Sequence, residues 1–135
     1  MEENFPGIAR MLCRMPKLDT FDLHMINALN GPSTQYQKVF EHIANEVELP
    51  LLTQVFIRGL PASEESLLKF IDNHPTISDL HINDVELTSG SWKRTIRRVS
   101  QLPALSSLSL SNLWEERGVF NCRHFPRTNF SRTVY

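Results

Sequence analysis

Cysteine is almost missing from this chain: two thiols in 135 residues, which excludes a small fold stapled by disulfides. No apolar run approaches the roughly 20 residues of a membrane-spanning helix, which excludes that class. Residues 1–15 hold two acids, a proline and two arginines, so a basic start followed by an apolar core, the mark of a secretory signal, is absent. Neither sign of charge dominates. The formal net charge of −1 gives no overall pull toward nucleic acid or an acidic membrane. Metal-ligand spacings are lacking as well. Cys122 and His124 form a C-x-H pair and Cys13 is distant, with no CxxC and no HxxxH, so no metal and no cofactor is expected. Two lone thiols fit a reducing compartment, and a cytoplasmic or nuclear location is expected.

What is present has the character of one globular domain. Hydrophobic residues make up 41% and charged residues 21%, far from a disordered composition. Charge is uneven along the chain. Residues 1–90 are acidic, whereas residues 91–135 carry eight basic and two acidic side chains. Such asymmetry fits a basic contact surface or a solvated helix face with a basic tail.

Four prolines can be laid over one another. Pro16 opens PKLDTFDLHMI, Pro50 opens PLLTQVFIRGL, Pro75 opens PTISDLHINDV and Pro103 opens PALSSLSLSNL. All four read P-x-[LI]-x-x-[FVL]-x-[LI]-x-x-[IVL], at spacings of 34, 25 and 28 residues. Recurrence in this range marks a repeat architecture.

Each unit has a strand pattern followed by a helix pattern. Leu80 and Ile82 alternate with Asp79, His81 and Asn83, and Leu108 and Leu110 with Ser107, Ser109 and Ser111, as a strand with one buried face requires. Phe21 and Leu23, then Val55 and Ile57, play that part in the first two units. The proline precedes the strand, where its missing N–H costs no ladder bond. Between strands, apolar residues recur at helical spacing: Val39, Phe40, Ile43 and Val47; Leu67, Leu68, Phe70 and Ile71; Trp92, Ile96 and Val99. Ser33 or Thr34, then Ser63, then Thr88, Ser89 or Ser91 offer caps. Strands joined by helical crossovers run parallel. The expected fold is α/β: about four parallel strands in a short curved sheet, helices on one face, the other face open.

The apolar frame resembles the leucine-rich repeat, whose core reads L-x-x-L-x-L. Leu18, Phe21 and Leu23 match it, as do Leu52, Val55 and Ile57; Ile77, Leu80 and Ile82; and Leu105, Leu108 and Leu110. The family's asparagine position is apolar here (Ile26, Leu60, Val85, Leu113). In this the chain resembles the irregular repeats of F-box receptors. SEESLLKFIDNHP, ELTSGSW and LSLSNLWE look like phrases of fungal F-box-like proteins, although no F-box helices are recognisable. The resemblance covers roughly residues 5–114 and implies a short solenoid that binds other proteins. It further implies the substrate-recognition part of a ubiquitin-ligase receptor.

The ends read differently. Phe5, Ile8, Leu12 and Met15 are expected on one stripe of a helix before the first strand. Residues 1–114 are thus expected to form the repeat domain. Residues 115–135 show no helix or strand period and read as an irregular or partly disordered basic tail. Both ends look like those of a piece of a longer repeat protein.

Alternation assigns the open face. It should carry Thr20, Asp22 and His24; Gln54, Phe56 and Arg58; Asp79, His81 and Asn83; Ser107, Ser109 and Ser111. Phe56 stands out, because a large aromatic on a wet face needs cover, either from a partner or from a terminal segment. With Arg58 and His81 beside it, this is the expected contact centre. The candidate protein-binding set is Asp22, His24, Phe56, Arg58, Asp79, His81 and Asn83. His81 with Asp79 and the neighbouring serines could be imagined as a catalytic constellation. An open sheet offers no concave pocket for one, and SGSW lacks the second glycine of a nucleophile elbow. A non-enzymatic interaction module is therefore expected. The alternative is binding of nucleic acid or an acidic partner through Lys93, Arg94, Arg97, Arg98 and the basic tail.

Overall fold

The computed structural model describes residues 5–25, 33–115, 118–120 and 131–134. The chain folds as helix α1 (Phe5–Cys13), strand β1 (Thr20–His24), α2 (Ser33–Glu46), β2 (Gln54–Arg58), β3 (Pro61–Ser63), α3 (Glu64–Asp72), β4 (Asp79–Ser89), α4 (Trp92–Val99), β5 (Ser107–Glu115), β6 (Gly118–Phe120) and β7 (Ser131–Val134). It is α/β with one open, mostly parallel sheet. The main order is β1-β2-β4-β5-β6, with β3 beside β4 and β7 beside β5. Helices α1 to α4 pack each on the next in chain order.

The four prolines have one job. Each occupies the second position of a β-turn closed by the N–H two residues further on. Leu18 N donates to Met15 O (3.1 Å), Leu52 N to Leu49 O (3.0 Å), Ile77 N to His74 O (3.2 Å) and Leu105 N to Leu102 O (3.3 Å). Proline's fixed φ suits that position, and its absent N–H is not needed there. The strand then begins at the same offset every time. Thr20 pairs with Gln54, Gln54 with Asp79, and Asp79 with Ser107. These partners stand 34, 25 and 28 residues apart in the sequence, as the prolines do. A one-residue slip would turn every apolar side chain into water, so the buried face fixes this register.

A hydroxyl ladder reinforces the strand starts. The Asp19 carbonyl accepts from Thr53 N and Gln54 N, that of Thr53 from Ser78 N and Asp79 N, and that of Ser78 from Ser106 N and Ser107 N. The hydroxyls of Thr53, Ser78 and Ser106 reach the same three carbonyls at 3.2 Å each. The third residue after each proline (Asp19, Thr53, Ser78, Ser106) is thus a polar position that the apolar pattern passes over.

The strands do not stop where the alternation does. Gly59, Asp84 and Asn112 have φ of +70°, +55° and +50°, each nine residues after its proline. A single left-handed residue shifts the phase of the pleat. Val85 and Leu113, three rather than two residues after Ile82 and Leu110, therefore return to the core, fully buried. Pairing continues past this kink: β3 lies parallel to the far half of β4. A simple strand–turn–helix unit is thus corrected to strand, kink, second strand piece, helix. Glycine, aspartate and asparagine are the residues that tolerate this backbone. At Gly59 the demand is strict, because a Cβ would lie 2.5 Å from the Met25 carbonyl oxygen.

The helices start as their caps direct. Ser63 accepts from Ser66 N at the start of α3, and Ser91 accepts from Arg94 N at the start of α4. Glu64 and Glu65 follow Ser63 in the first turn, where the macrodipole favours them. The start of α2 lies where no side chain is described. One continuous core joins helix and sheet: Phe40, Ile43, Leu67, Phe70, Trp92 and Ile96 from helices meet Val55, Ile57, Leu80, Ile82, Leu108 and Leu110 from strands. Trp92 is fully buried yet satisfied, its Nε1–H donating to the Trp114 carbonyl at 2.6 Å.

Two further expectations change at the ends. Helix α1 buries Leu12 and partly covers Ile8, but Met15 lies beyond its end and is exposed. Pro16 disfavours helical backbone at the residue before it. In the 115–135 stretch, where no strand period is legible, β6 runs antiparallel to the end of β5 and β7 parallel to its start. Pairing groups of β5, not side-chain alternation, organise these strands. Residues 121–130, with Cys122, His124, Arg123 and Arg127 of the basic tail, lie outside the described residues, as does Ile26. No described helix is long and apolar enough to cross a membrane.

Candidate functional site

Register sets the open face out in rows. Thr20, Gln54, Asp79 and Ser107 form the first row; Asp22, Phe56, His81 and Ser109 the second; His24, Arg58, Asn83 and Ser111 the third. Asp22 and His24 are exposed, whereas Phe56, Arg58, Asp79, His81 and Asn83 are half-buried. All seven candidate residues therefore share one surface, on adjacent strands.

The centre is a packed group. The His81 imidazole stacks on the Phe56 ring with centroids 4.4 Å apart and planes 7° from parallel. The Arg58 guanidinium carbon lies 6.0 Å from the Phe56 centroid, at the outer limit of a cation–π contact. Its Nη2 donates to Asp22 Oδ2 at 2.7 Å. Its Nε is buried and has no hydrogen-bond partner among the described residues. Among the described residues, His81 and Arg58 on the same face cover Phe56. Around this centre, Ser111 Oγ donates to Asn83 Oδ1 at 2.6 Å, and Ser78 Oγ lies 3.2 Å from Asp79 Oδ2 and shares its proton between that oxygen and Thr53 O. Asp79 and His81 share a strand face, but the carboxylate is engaged by Ser78 and the imidazole lies flat on Phe56. They do not form a hydrogen-bonded dyad.

No family model matches the chain, and no curated protein or solved structure is found similar to it. The functional reading therefore rests on geometry and on the repeat pattern.

The basic helix is partly neutralised by the helix before it. Arg94 Nε lies 3.3 Å from both carboxylate oxygens of Glu64, and Arg98 Nη2 lies 2.9 and 2.8 Å from those of Asp72. Lys93 and Arg97 are exposed. Glu64 also accepts from Ser91 N at 2.7 Å, so its carboxylate joins two helix starts. The sequence pattern put the arginines on a wet face but could not show which acids they meet, because α3 and α4 are brought together only by packing.

A second feature escaped the sequence altogether. A groove of about 690 Å³ runs between α2, α3 and the far half of β4, lined by Glu41, Glu65, Glu86, Glu115, Lys69 and Thr88 among others. Thr88 Oγ1 donates to Gln37 Oε1 at 2.5 Å and Lys69 Nζ to Asn45 Oδ1 at 2.8 Å. Its acids are scattered over four elements, so no motif announces it. Among the described residues no group of three or more His, Cys, Asp or Glu side chains could hold a metal ion.

Proposed function

We propose that the chain is a protein-binding module of leucine-rich-repeat type that contacts another protein over the open sheet face. The observation that carries this reading is the group Asp22–Arg58–Phe56–His81. An aromatic surface with an arginine already held by a carboxylate loses little side-chain freedom on binding, and aromatic and arginine side chains are the usual anchors of interfaces. The repeated strand register, with helices stacked in the same order, supports the repeat reading. By resemblance to F-box-like proteins, the module would recognise substrates for a ubiquitin ligase. It works by surface complementarity and needs no cofactor.

The test compares capture from a cell lysate by the wild-type chain with capture by Phe56→Ala, Arg58→Ala and a Lys93→Glu/Arg94→Glu/Arg97→Glu/Arg98→Glu variant. Each variant is first matched to the wild type for thermal unfolding. Proteins held by the wild type and the acidic-helix variant, but lost with Phe56→Ala, support the reading. Proteins indifferent to Phe56 and Arg58, lost with the acidic-helix variant and released steeply by salt, would replace it with acidic-partner or nucleic-acid binding.

A further inference from the structure

Among the described residues, β1 is hydrogen-bonded on one side only, to β2. The free side has a definite polarity. Met25 N donates to Arg58 O, and Asp19 O accepts from Gln54 N. Peptide groups alternate along a strand, so residues 19, 21, 23 and 25 turn theirs to β2. Thr20, Asp22 and His24 turn theirs outward. Of the usual edge protections the five-residue strand TFDLH has its short length and one charge, Asp22, which Arg58 already holds; it has no lysine, no proline and no bulge.

The core is also open at this end. Leu18 and Leu23 are half-buried, while their counterparts Leu52, Ile77, Ile57, Ile82 and Leu110 are buried. Met11 of α1 and Met15, at the same end of both stacks, are 56% and 43% exposed.

We propose that two copies of this chain pair edge to edge through β1, antiparallel, about a two-fold axis at Leu23. Closed two-fold symmetry requires antiparallel strands, and hydrogen-bonded pairs must join the outward residues. An axis at Asp22 would set Asp22 against Asp22, a repulsive pair. An axis at His24 would set His24 against itself and give Asp22, already paired with Arg58 of its own copy, no imidazole across the seam. An axis at Leu23 sets Asp22 opposite His24 of the other copy, twice, and each such pair exchanges both of its N–H···O bonds. Leu23 then meets its own copy on the core side, where it is only half-buried. The two open faces lie on the same side of the joined sheet, which doubles the surface proposed for binding.

The experiment is sedimentation velocity of the full chain across about 1 µM to 1 mM, the range of a modest interface, with amide exchange at both ends of that range. The expected result is a mass that doubles with concentration, while the Asp22 and His24 amides gain protection and that of Leu23 does not. His24→Asp, which sets a second carboxylate opposite each Asp22, should weaken association about tenfold or more. His24→Pro removes an outward N–H without touching the bonds to β2 and should do the same at an unchanged unfolding midpoint. If His24→Pro fails to fold, His24→Asp decides alone. A chain that stays monomeric throughout, or a dimer indifferent to His24→Asp, overturns the proposal.

Discussion

The His81 imidazole lies flat against the Phe56 ring, centroids 4.4 Å apart, on adjacent parallel strands whose register makes the two residues direct partners. Offset of one residue on either strand would separate them, so the stack reports the register as well as the face. A double-mutant cycle with Phe56→Leu and His81→Ala should give a coupling of about 0.5–1.5 kcal/mol. Urea unfolding of the four proteins checks it, and a coupling of zero would mean that the rings touch without stabilising the fold.

His74 is a buried histidine held neutral. Leu49 N–H donates to its Nε2 at 3.0 Å, so its proton sits on Nδ1 and is given to the Phe70 carbonyl at 2.6 Å. Burial holds its pKa below the ordinary value of 6.5, more strongly than the Phe70 hydrogen bond and the nearby Glu48 raise it. The unfolded state therefore binds the proton more readily. Stability from this residue is fully present above about pH 6.5 and falls as pH drops below 6.5 toward and through the folded value. Urea midpoints measured from pH 7.5 to 5 should decline, and His74→Gln, which keeps an acceptor but cannot titrate, should flatten that part of the decline. A decline of equal slope in the variant would assign it to other groups.

Gly59 is the one kink residue that cannot carry a side chain. Its φ is +70° and a Cβ would meet the Met25 carbonyl oxygen at 2.5 Å. Gly59→Ala should cost about 1–2 kcal/mol for the left-handed backbone alone, and more because the opposing atom is backbone. Asp84→Gly and Asn112→Gly, at the matching places in the next units, should cost no more than a few tenths of a kcal/mol from backbone strain. A loss at Asp84→Gly or Asn112→Gly as large as that at Gly59→Ala would show that those two side chains, not only the backbone, matter there.

Ser78 stands in the middle of the hydroxyl ladder, its one proton shared between Thr53 O and Asp79 Oδ2, each 3.2 Å away, and its carbonyl accepting from Ser106. Ser78→Ala should lower stability by about 0.5–1.5 kcal/mol, one net hydrogen bond. Ser78→Thr should keep most of it. Thermal unfolding separates these outcomes.

Much of this architecture was legible because it depends on local chemistry repeated four times. The P-x-[LI] turns, the alternation on β1, β2, β4 and β5 and the caps at Ser63 and Ser91 each follow from a few adjacent residues. So does the membership of the open face, since a pleat has only two sides. The kink residues were less visible: Gly59, Asp84 and Asn112 differ in chemistry and share only tolerance of a positive φ. A reading of the fixed offset from each proline would have found them. Strands β6 and β7 carry no alternation and exist through pairing with β5.

The sequence by itself determined that each unit turns at its proline, buries one side of a strand and returns through a helix, because those choices are made by residues within one or two turns of each other. Only the tertiary structure decided which side chains meet. That His81 lies on Phe56, that Asp22 holds Arg58, that Glu64 joins Arg94 to Ser91, and that Leu49 donates to His74 are contacts between residues 25 to 36 positions apart. Their distances are set by how neighbouring units pack, a cooperative property of the buried core that no single stretch of chain contains.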